Sequence, residues 1–171
     1  MATRCGIWRG VRNSPPAPAI NPTLTSGAGT GIIETNTSAR LNYKTIDFDQ
    51  SLEEHCQADV IFPPNWSAVR CEFMWTAVSG AGNVRWGARA AALEDAEPLE
   101  ATYGTTQFIL DGKTSTSGIQ RSSFTSGVFP GGALGTYQNL PVKLDFYRDA
   151  TNISDTLTAD ARLLGVTLTR A

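Results

Sequence analysis

The feature that most constrains this chain is an alternation of apolar and polar residues with a period of two between residues 69 and 77. Val69, Cys71, Phe73 and Trp75 share one phase, and mostly polar or charged residues take the other. Successive side chains of a β-strand point to opposite faces of a sheet. The pattern therefore predicts a strand with one buried face.

A second alternating run follows a glycine-rich turn. The segment SGAGN at residues 79–83 supplies glycine where a tight turn requires a positive φ angle. After it, Val, Trp and Ala residues alternate with arginines. We therefore predict that residues 69–77 and 83–91 form a β-hairpin. Trp75 and Trp86 share the phase of the apolar faces, which predicts that both belong to the core.

Six further runs have the same strand-like character and are separated by turn signals. They lie at residues 41–48, 55–62, 105–110, 118–124, 140–148 and 161–170. Only residues 91–102, AALEDAEPLEAT, lean towards a helix, and we allow one short helix there. Eight antiparallel strands in one domain predict an all-β fold, a two-sheet β-sandwich of the jelly-roll kind. Alternation does not give the strand order, so an immunoglobulin-like sandwich stays open.

Residues 1–40 differ from the remainder in composition. The stretch NSPPAPAINPTLTSGAGTG contains four prolines, which fix φ and donate no backbone hydrogen bond. It therefore excludes a helix and a central strand. Residues 1–40 carry four arginines and one glutamate, a sum of +3, whereas the rest carries ten basic and fifteen acidic residues, a sum of −5. We predict an extended N-terminal arm at residues 1–40 and a β-sandwich body at residues 41–171.

The tip of this arm combines an apolar anchor with positive charge. Tryptophan and arginine are favoured at the centres of protein interfaces, and a tryptophan in a solvated tail has no other evident role. The arm residues predicted to contact a partner are Arg4, Trp8, Arg9 and Arg12. The alternative is an unstructured leader that happens to carry arginines.

Residues that support catalysis are sparse. His55 is the only histidine, so a two-histidine metal site is excluded, and its neighbour Cys56 points to the opposite face of the strand. We expect His55 at a surface or interface. Cys56 and Cys71 are expected to be buried thiols, with a disulfide between them as the alternative. We predict a protein that is not an enzyme and has no cofactor and no metal ligands, although a calcium site at Asp47 and Asp49 is conceivable.

Charge and hydropathy argue against two classes of partner. A net charge of −2 argues against nucleic acid. No apolar run approaches the roughly 20 residues that span a bilayer, and residues 1–20 lack the core of a signal peptide, so we expect assembly in the cytoplasm. Trp66, in the loop PPNWS, is the candidate for exposure and for contact with a glycan, because sugars stack on exposed rings. The alternative is that Trp66 closes the end of the sandwich.

Three stretches of the body combine turn and strand motifs in a distinctive way. They are ADVIFPPNW (58–66), VRCEFMWTAVSGAGNVRWGARA (69–90) and DTLTADARLLGVTLT (155–169). Together they resemble small virion proteins of tailed bacteriophages and prophages, over roughly residues 41–171. The resemblance implies a β-sandwich homotrimer that serves as a capsid decoration (cement), head-fibre or tail-associated protein.

The arm and the resemblance together predict a non-enzymatic capsid decoration protein. It would dock on the shell through its arm and stabilise the shell, with the major capsid protein or another virion protein as partner. Many copies make weak individual contacts sufficient, and three-fold positions favour a trimer. The alternative is a tail- or fibre-associated module that binds a host surface glycan through Trp66 and the Gly/Ser/Thr-rich residues 111–127. Either protein would reside in the virion, without a nucleic-acid or membrane partner.

Overall fold

The computed structural model describes residues 4–7, 21–22, 27–33, 43–62, 66–96, 98, 100–114, 118–126 and 140–171. These residues form eleven β-strands and no α-helix: β1 (Arg4–Ile7), β2 (Asn21–Pro22), β3 (Gly29–Ile33), β4 (Tyr43–Phe48), β5 (Glu54–Ile61), β6 (Val69–Thr76), β7 (Asn83–Ala92), β8 (Gln107–Gly112), β9 (Gln120–Ser126), β10 (Pro141–Arg148) and β11 (Ala161–Arg170). The eight strands predicted from alternation are present, each within two residues of its predicted bounds. No helix in the described ranges is long and apolar enough to cross a membrane.

The strands form two antiparallel sheets. Sheet A has the order β3-β4-β11-β6-β9, with β1 also paired with β11, and sheet B has the order β2-β5-β10-β7-β8. The apolar faces of the two sheets pack against each other as in a β-sandwich. From β4 onwards most consecutive strands lie in different sheets, as expected for a jelly-roll-like fold. The predicted all-β sandwich is confirmed.

The hairpin predicted from residues 69–77 and 83–91 is wrong. β6 pairs with β11 and β9 in sheet A, whereas β7 pairs with β10 and β8 in sheet B. The connection between them crosses from one sheet to the other, with positive φ angles at Gly80 (74°) and Gly82 (120°). Gly82 also lies against the carbonyl oxygen of Thr156, where a Cβ atom would not fit. The need for glycine in this turn is confirmed, but the turn joins two sheets.

Aromatic rings on β6 and β7 hold the sheets together. Phe73 stacks on Trp86 with ring centroids 5.4 Å apart, and Trp75 meets Trp86 edge-on at 6.1 Å. Both tryptophans are 0% exposed, so their predicted place in the core is confirmed. The Trp75 Nε1–H group donates to Asp111 Oδ2 at 2.7 Å, which satisfies its polar atom inside the core.

The described parts of residues 1–40 pair with the body. β1 pairs with β11, β2 with β5 and β3 with β4, all antiparallel. Gly27 bridges to His55, and the Ala28 N–H group donates to the His55 carbonyl oxygen at 3.2 Å. Residues 27–33 therefore run from the edge of sheet B to the edge of sheet A. The domain boundary at residue 40 stays a prediction.

The short helix allowed within residues 91–102 is absent from the described part of that segment, which continues β7 and then forms turns. The Leu93 N–H group donates to the Pro141 carbonyl oxygen at 2.8 Å, and the Gly104 N–H group donates to the Ala90 carbonyl oxygen at 2.9 Å. Backbone bonds to sheet B at both ends therefore override the weak helical propensity of the sequence. We call residues 93–104 the wall loop.

A buried ion pair anchors the connection between β10 and β11. Arg148 is fully buried and holds Asp155 through two bonds, Nη2 to Oδ1 at 2.8 Å and Nε to Oδ2 at 3.1 Å. It also donates to the carbonyl oxygens of Leu157 and Ala159, each at 2.8 Å. Because Nε, Nη1 and Nη2 of Arg148 all donate to acceptors inside the protein, this arginine is an architectural residue and not a free charge.

Candidate ligand-binding face

The outer faces of the two sheets differ in character. On sheet A the outer face carries solvated charge, such as Arg121, 64% exposed in its side chain, whose Nη1 lies 3.0 Å from Glu72 Oε1. On sheet B the outer face carries Tyr147, His55 and Asp145, with exposures of only 5%, 9% and 1%. The outer face of an antiparallel sheet is normally polar and solvated. Sheet B departs from that rule and is the candidate site.

The strand register brings these residues together. Tyr147 of β10 stands opposite His55 of β5 and Gly87 of β7, and Asp145 stands opposite Arg89 of β7. Directly opposed residues share a face and touch. A Cβ atom at Gly87 would lie 2.5 Å from Cζ of Tyr147, so only glycine lets the tyrosine ring lie against the sheet.

A row of rings and guanidinium groups crosses this face. The Arg85 Cζ atom lies 3.4 Å from the centroid of the Phe108 ring, and that ring meets Tyr147 edge-on at 6.0 Å. The Arg89 Cζ atom lies 5.3 Å from the Tyr147 centroid and 4.8 Å from the Tyr103 centroid. Each contact is a cation–π or edge-to-face pair. We call these five residues the aromatic row.

A buried carboxylate holds the centre of the row. Asp145 Oδ2 accepts from Arg89 Nε at 2.8 Å and lies 3.0 Å from His55 Nδ1. His55 Nε2 lies 3.2 Å from Glu53 Oε1, and the imidazole tilts over Tyr147 at 4.8 Å. The hydrogen bond to Asp145 is the main cause of a raised His55 pKa, against the lowering effect of burial. Asp145 Oδ1 has no hydrogen-bond partner among the described residues.

Each described cation on this face has a carboxylate partner. The three pairs are Arg85 with Asp149, Arg89 with Asp145, and Lys143 with Asp59. The Lys143–Asp59 pair is partly solvated, whereas the Arg89–Asp145 pair has a buried anion. The face therefore offers hydrogen-bonding groups with balanced charge.

A cavity of about 400 Å³ opens beside Tyr103 at one end of the row. Its polar lining groups are Gln57, Glu94, Tyr103 and Lys143, and its apolar walls include Leu93 and Pro98 of the wall loop. The volume falls in the range of roughly 300–1,000 Å³ found for small-molecule sites. A tyrosine hydroxyl is protonated at neutral pH and can donate a hydrogen bond, and burial raises the pKa of Tyr103 further, to about 12.

The residues predicted as site residues lie elsewhere. Trp66 is 2% exposed and packs against Phe62 with ring centroids 5.9 Å apart. The expectation that it is exposed is wrong, and its alternative role of closing the sandwich fits the packing. Trp8, Arg9 and Arg12 lie outside the described residues, and only the backbone of Arg4 is described. Partner contact by these four arm residues stays a prediction.

Cysteine and acidic candidates are held in structural roles. Cys56 and Cys71 are free, buried thiols, as predicted, and burial raises the pKa of each well above its usual value. Asp49 accepts from the Ser51 backbone and hydroxyl, which lowers the pKa of Asp49. Asp47 Oδ1 instead accepts from the Thr45 hydroxyl at 2.6 Å. Within the described ranges, no group of three or more His, Cys, Asp or Glu side chains could hold a metal ion.

The sequence reasoning missed the aromatic row. Its members lie on β7, β8, β10 and the wall loop, which alternation alone does not bring together. One signal was available: Asp145 and Tyr147 occupy the phase of β10 opposite to the core phase of Leu144 and Phe146. When a tyrosine and an acidic residue both occupy outward-facing positions of one strand, the outer face of the sheet carries an aromatic ring as well as charge.

Comparison with known proteins gives the fold. No protein-family model matches the chain, and no curated protein matches it. The family 11 carbohydrate-binding module from Clostridium thermocellum, solved with a β-1,3-1,4-mixed-linked tetrasaccharide, aligns over 98% of this chain and 94% of its own, with a TM-score of 0.52 and 12% identity. An isomalto-dextranase from Arthrobacter globiformis T6, solved with panose, gives a TM-score of 0.50 and 12% identity over 91% of this chain and 24% of its own. These similarities show a shared β-sandwich fold.

One similar structure comes from a virus. The enzymatically active domain of tailspike protein 4 from bacteriophage CBA120 aligns over 89% of this chain and 19% of its own, with 8% identity and a TM-score of 0.45. That TM-score is too low to carry an argument about this chain. The β-sandwich that the resemblance to virion proteins implied rests instead on the two sheets and on the family 11 module, and the virion setting stays a prediction.

Proposed function

We propose that this chain is a non-catalytic β-sandwich module that binds a glycan on the outer face of sheet B. The observation that supports the proposal is the aromatic row beside the cavity of about 400 Å³. Sugar rings pack their C–H faces on aromatic rings, and their hydroxyl groups exchange hydrogen bonds with polar side chains. The face offers both kinds of group side by side.

The row is organised before a ligand arrives. The Arg89 guanidinium is bonded to Asp145 at 2.8 Å and lies between the Tyr103 and Tyr147 rings. Side chains that are already held lose little conformational entropy when a ligand binds. Tyr103 connects this fixed row to the cavity, so we place the first contact with the ligand at Tyr103.

The shared fold adds support to the proposal. The family 11 module matches this chain nearly end to end and was solved with an oligosaccharide. A β-sandwich of this size can therefore serve as a complete sugar-binding unit. The glycan-binding alternative predicted from the sequence thus has more support than capsid decoration. The described parts of the arm pair with the sheets and add no support for docking on a shell.

We place the module in a virion, as a tail- or fibre-associated protein whose partner is a host surface glycan. A homotrimer would present three copies of the face, and linked copies raise avidity without new contacts. Light scattering of the full-length chain after size exclusion tests the oligomeric state. A trimeric mass supports this arrangement, and a monomeric mass contradicts it.

Affinity gel electrophoresis against a panel of polysaccharides tests glycan binding. Titration calorimetry then uses oligosaccharides derived from whichever polysaccharide retards the protein. We expect Tyr103→Ala to abolish retardation. Tyr43→Ala is the matched control, because Tyr43 is a half-buried tyrosine on β4 of sheet A. Absence of retardation by every polysaccharide, or equal loss in the two variants, would contradict the proposed function.

A further inference from the structure

We infer that the outer face of sheet B takes a neutral glycan and rejects a chain of acidic sugars. This inference rests on the proposed function and concerns the class of ligand. It comes from the pairing of charges on the face, where a carboxylate already matches each described cation.

Tight binding of an acidic sugar is favoured by a cation whose charge is free to pair with the carboxylate or sulfate group of the sugar. The positive charge of Arg89 is already matched, because Asp145 accepts from its Nε at 2.8 Å and is 1% exposed. If Arg89 turned to a ligand, Asp145 would remain as a buried anion with less compensation, which is costly. Arg85 is held in the same way by its pair with Asp149, and its guanidinium lies over the Phe108 ring.

The cavity repeats this balance. Lys143 is the one cation among the described residues that line it, and its Nζ lies 2.8 Å from Asp59 Oδ1. Glu94 lines the same cavity and would repel an acidic ligand. His55, when protonated, lies between Asp145 and Glu53, so its charge is also matched.

The remaining groups suit hydroxyl groups that both donate and accept. The Tyr103 hydroxyl is protonated at neutral pH and can donate, and burial is the main cause of its raised pKa. Gln57 offers a donor and an acceptor, and Glu94 offers acceptors. Uncharged sugars carry such hydroxyl groups around the ring, whereas acidic sugars bring a charge that this face does not balance.

The test compares neutral chains (mixed-linked β-glucan, xylan, galactan and dextran) with acidic chains (polygalacturonate, alginate and hyaluronan). Affinity gel electrophoresis and calorimetry are run on the full chain and on Tyr103→Ala. We expect binding to at least one neutral chain, loss of that binding in Tyr103→Ala, and a change in Kd of less than about twofold between ~0.05 M and ~0.5 M NaCl.

The outcomes separate the two claims. If an acidic chain binds as tightly as any neutral chain, or more tightly, the inference of a neutral ligand is wrong while glycan binding stands. Neutral binding that survives Tyr103→Ala places the site elsewhere and also overturns the inference. If neither class of chain binds, the proposed function itself is wrong.

Discussion

Arg89 and Asp145 stand opposite each other on β7 and β10, and the Arg89 Nε–H group donates to Asp145 Oδ2 at 2.8 Å. The pair lies on an outer face, yet the carboxylate is 1% exposed. A buried charge is costly unless it is paired and hydrogen-bonded. Arg89 and His55 provide that compensation, and the carboxylate in turn holds Arg89 between two tyrosine rings.

Removal of this carboxylate should destabilise the protein. Asp145→Asn leaves the Arg89 guanidinium without its anion, and we expect a loss of about 3 kcal/mol in the free energy of unfolding, because Arg89 is partly exposed. Urea unfolding measures the loss. The matched control is Asp59→Asn, which breaks a partly solvated pair and should cost at most about 1 kcal/mol. Equal losses in the two variants would show that the buried pair has no special role.

The stability of the protein should depend on pH through His55. Its folded pKa is raised above the ordinary value of 6.5, mainly by the hydrogen bond to Asp145. The folded state therefore binds the proton more tightly than the unfolded state. The resulting stabilisation is fully present below pH 6.5 and is lost as the pH rises through the folded pKa.

Urea unfolding across this pH window checks the prediction. We expect the unfolding free energy to decrease on the alkaline side of pH 6.5 in the native sequence, and this step to vanish in His55→Gln. Because His55 is the only histidine, its ring signals in an NMR titration report the folded pKa directly. A titration midpoint below 6.5 would contradict the account.

Gly87 should be sensitive to the smallest substitution. Gly87→Ala places a Cβ atom 2.5 Å from the Tyr147 ring, which must then move from its position on the sheet. We expect a loss of about 1–3 kcal/mol in stability and weaker glycan binding. Gly29→Ala is the matched control, because its Cβ would meet no atom closer than 3.8 Å. Equal effects of the two substitutions on binding would remove Gly87 from the account of the site.

The buried thiols should be inert in the folded protein. Burial raises the pKa of Cys56 and of Cys71, so neither forms a thiolate at neutral pH. Iodoacetamide followed by peptide mapping should modify both residues only after unfolding in urea. Modification of either residue in the native protein at the rate of an exposed thiol would show that the core opens there.

The sequence predicted which positions are strands and which face of each strand is buried, but not how the strands pair. Alternation placed Trp75 and Trp86 in the core, and both are 0% exposed. Alternation did not show which strands pair with each other. Two strands that each bury one apolar face can be neighbours in one sheet or lie in the two opposite sheets, and the sequence pattern is the same in both cases. The connection between β6 and β7 crosses from sheet A to sheet B, and there Gly82 lies against Thr156, a residue far along the chain. Nothing in the local sequence of residues 79–83 indicates this contact.

The site was less predictable than the fold. Trp66 stood out as a loop tryptophan, but exposure depends on what closes the end of the sandwich, and Trp66 itself packs there against Phe62. Tyr103 and Arg89 meet because backbone bonds attach the wall loop to sheet B at both ends. Such contacts depend on strand register and loop path, which the periodicity of a single chain does not contain.

The most direct test of glycan binding on sheet B is an NMR titration of the ¹⁵N-labelled full chain with an oligosaccharide of the polysaccharide that retards it. The account predicts that the largest amide shifts cluster at Tyr103, Phe108 and Lys143, around the aromatic row and its cavity. Shifts that cluster on the outer face of sheet A around Glu72, or at the buried Trp66, would contradict it.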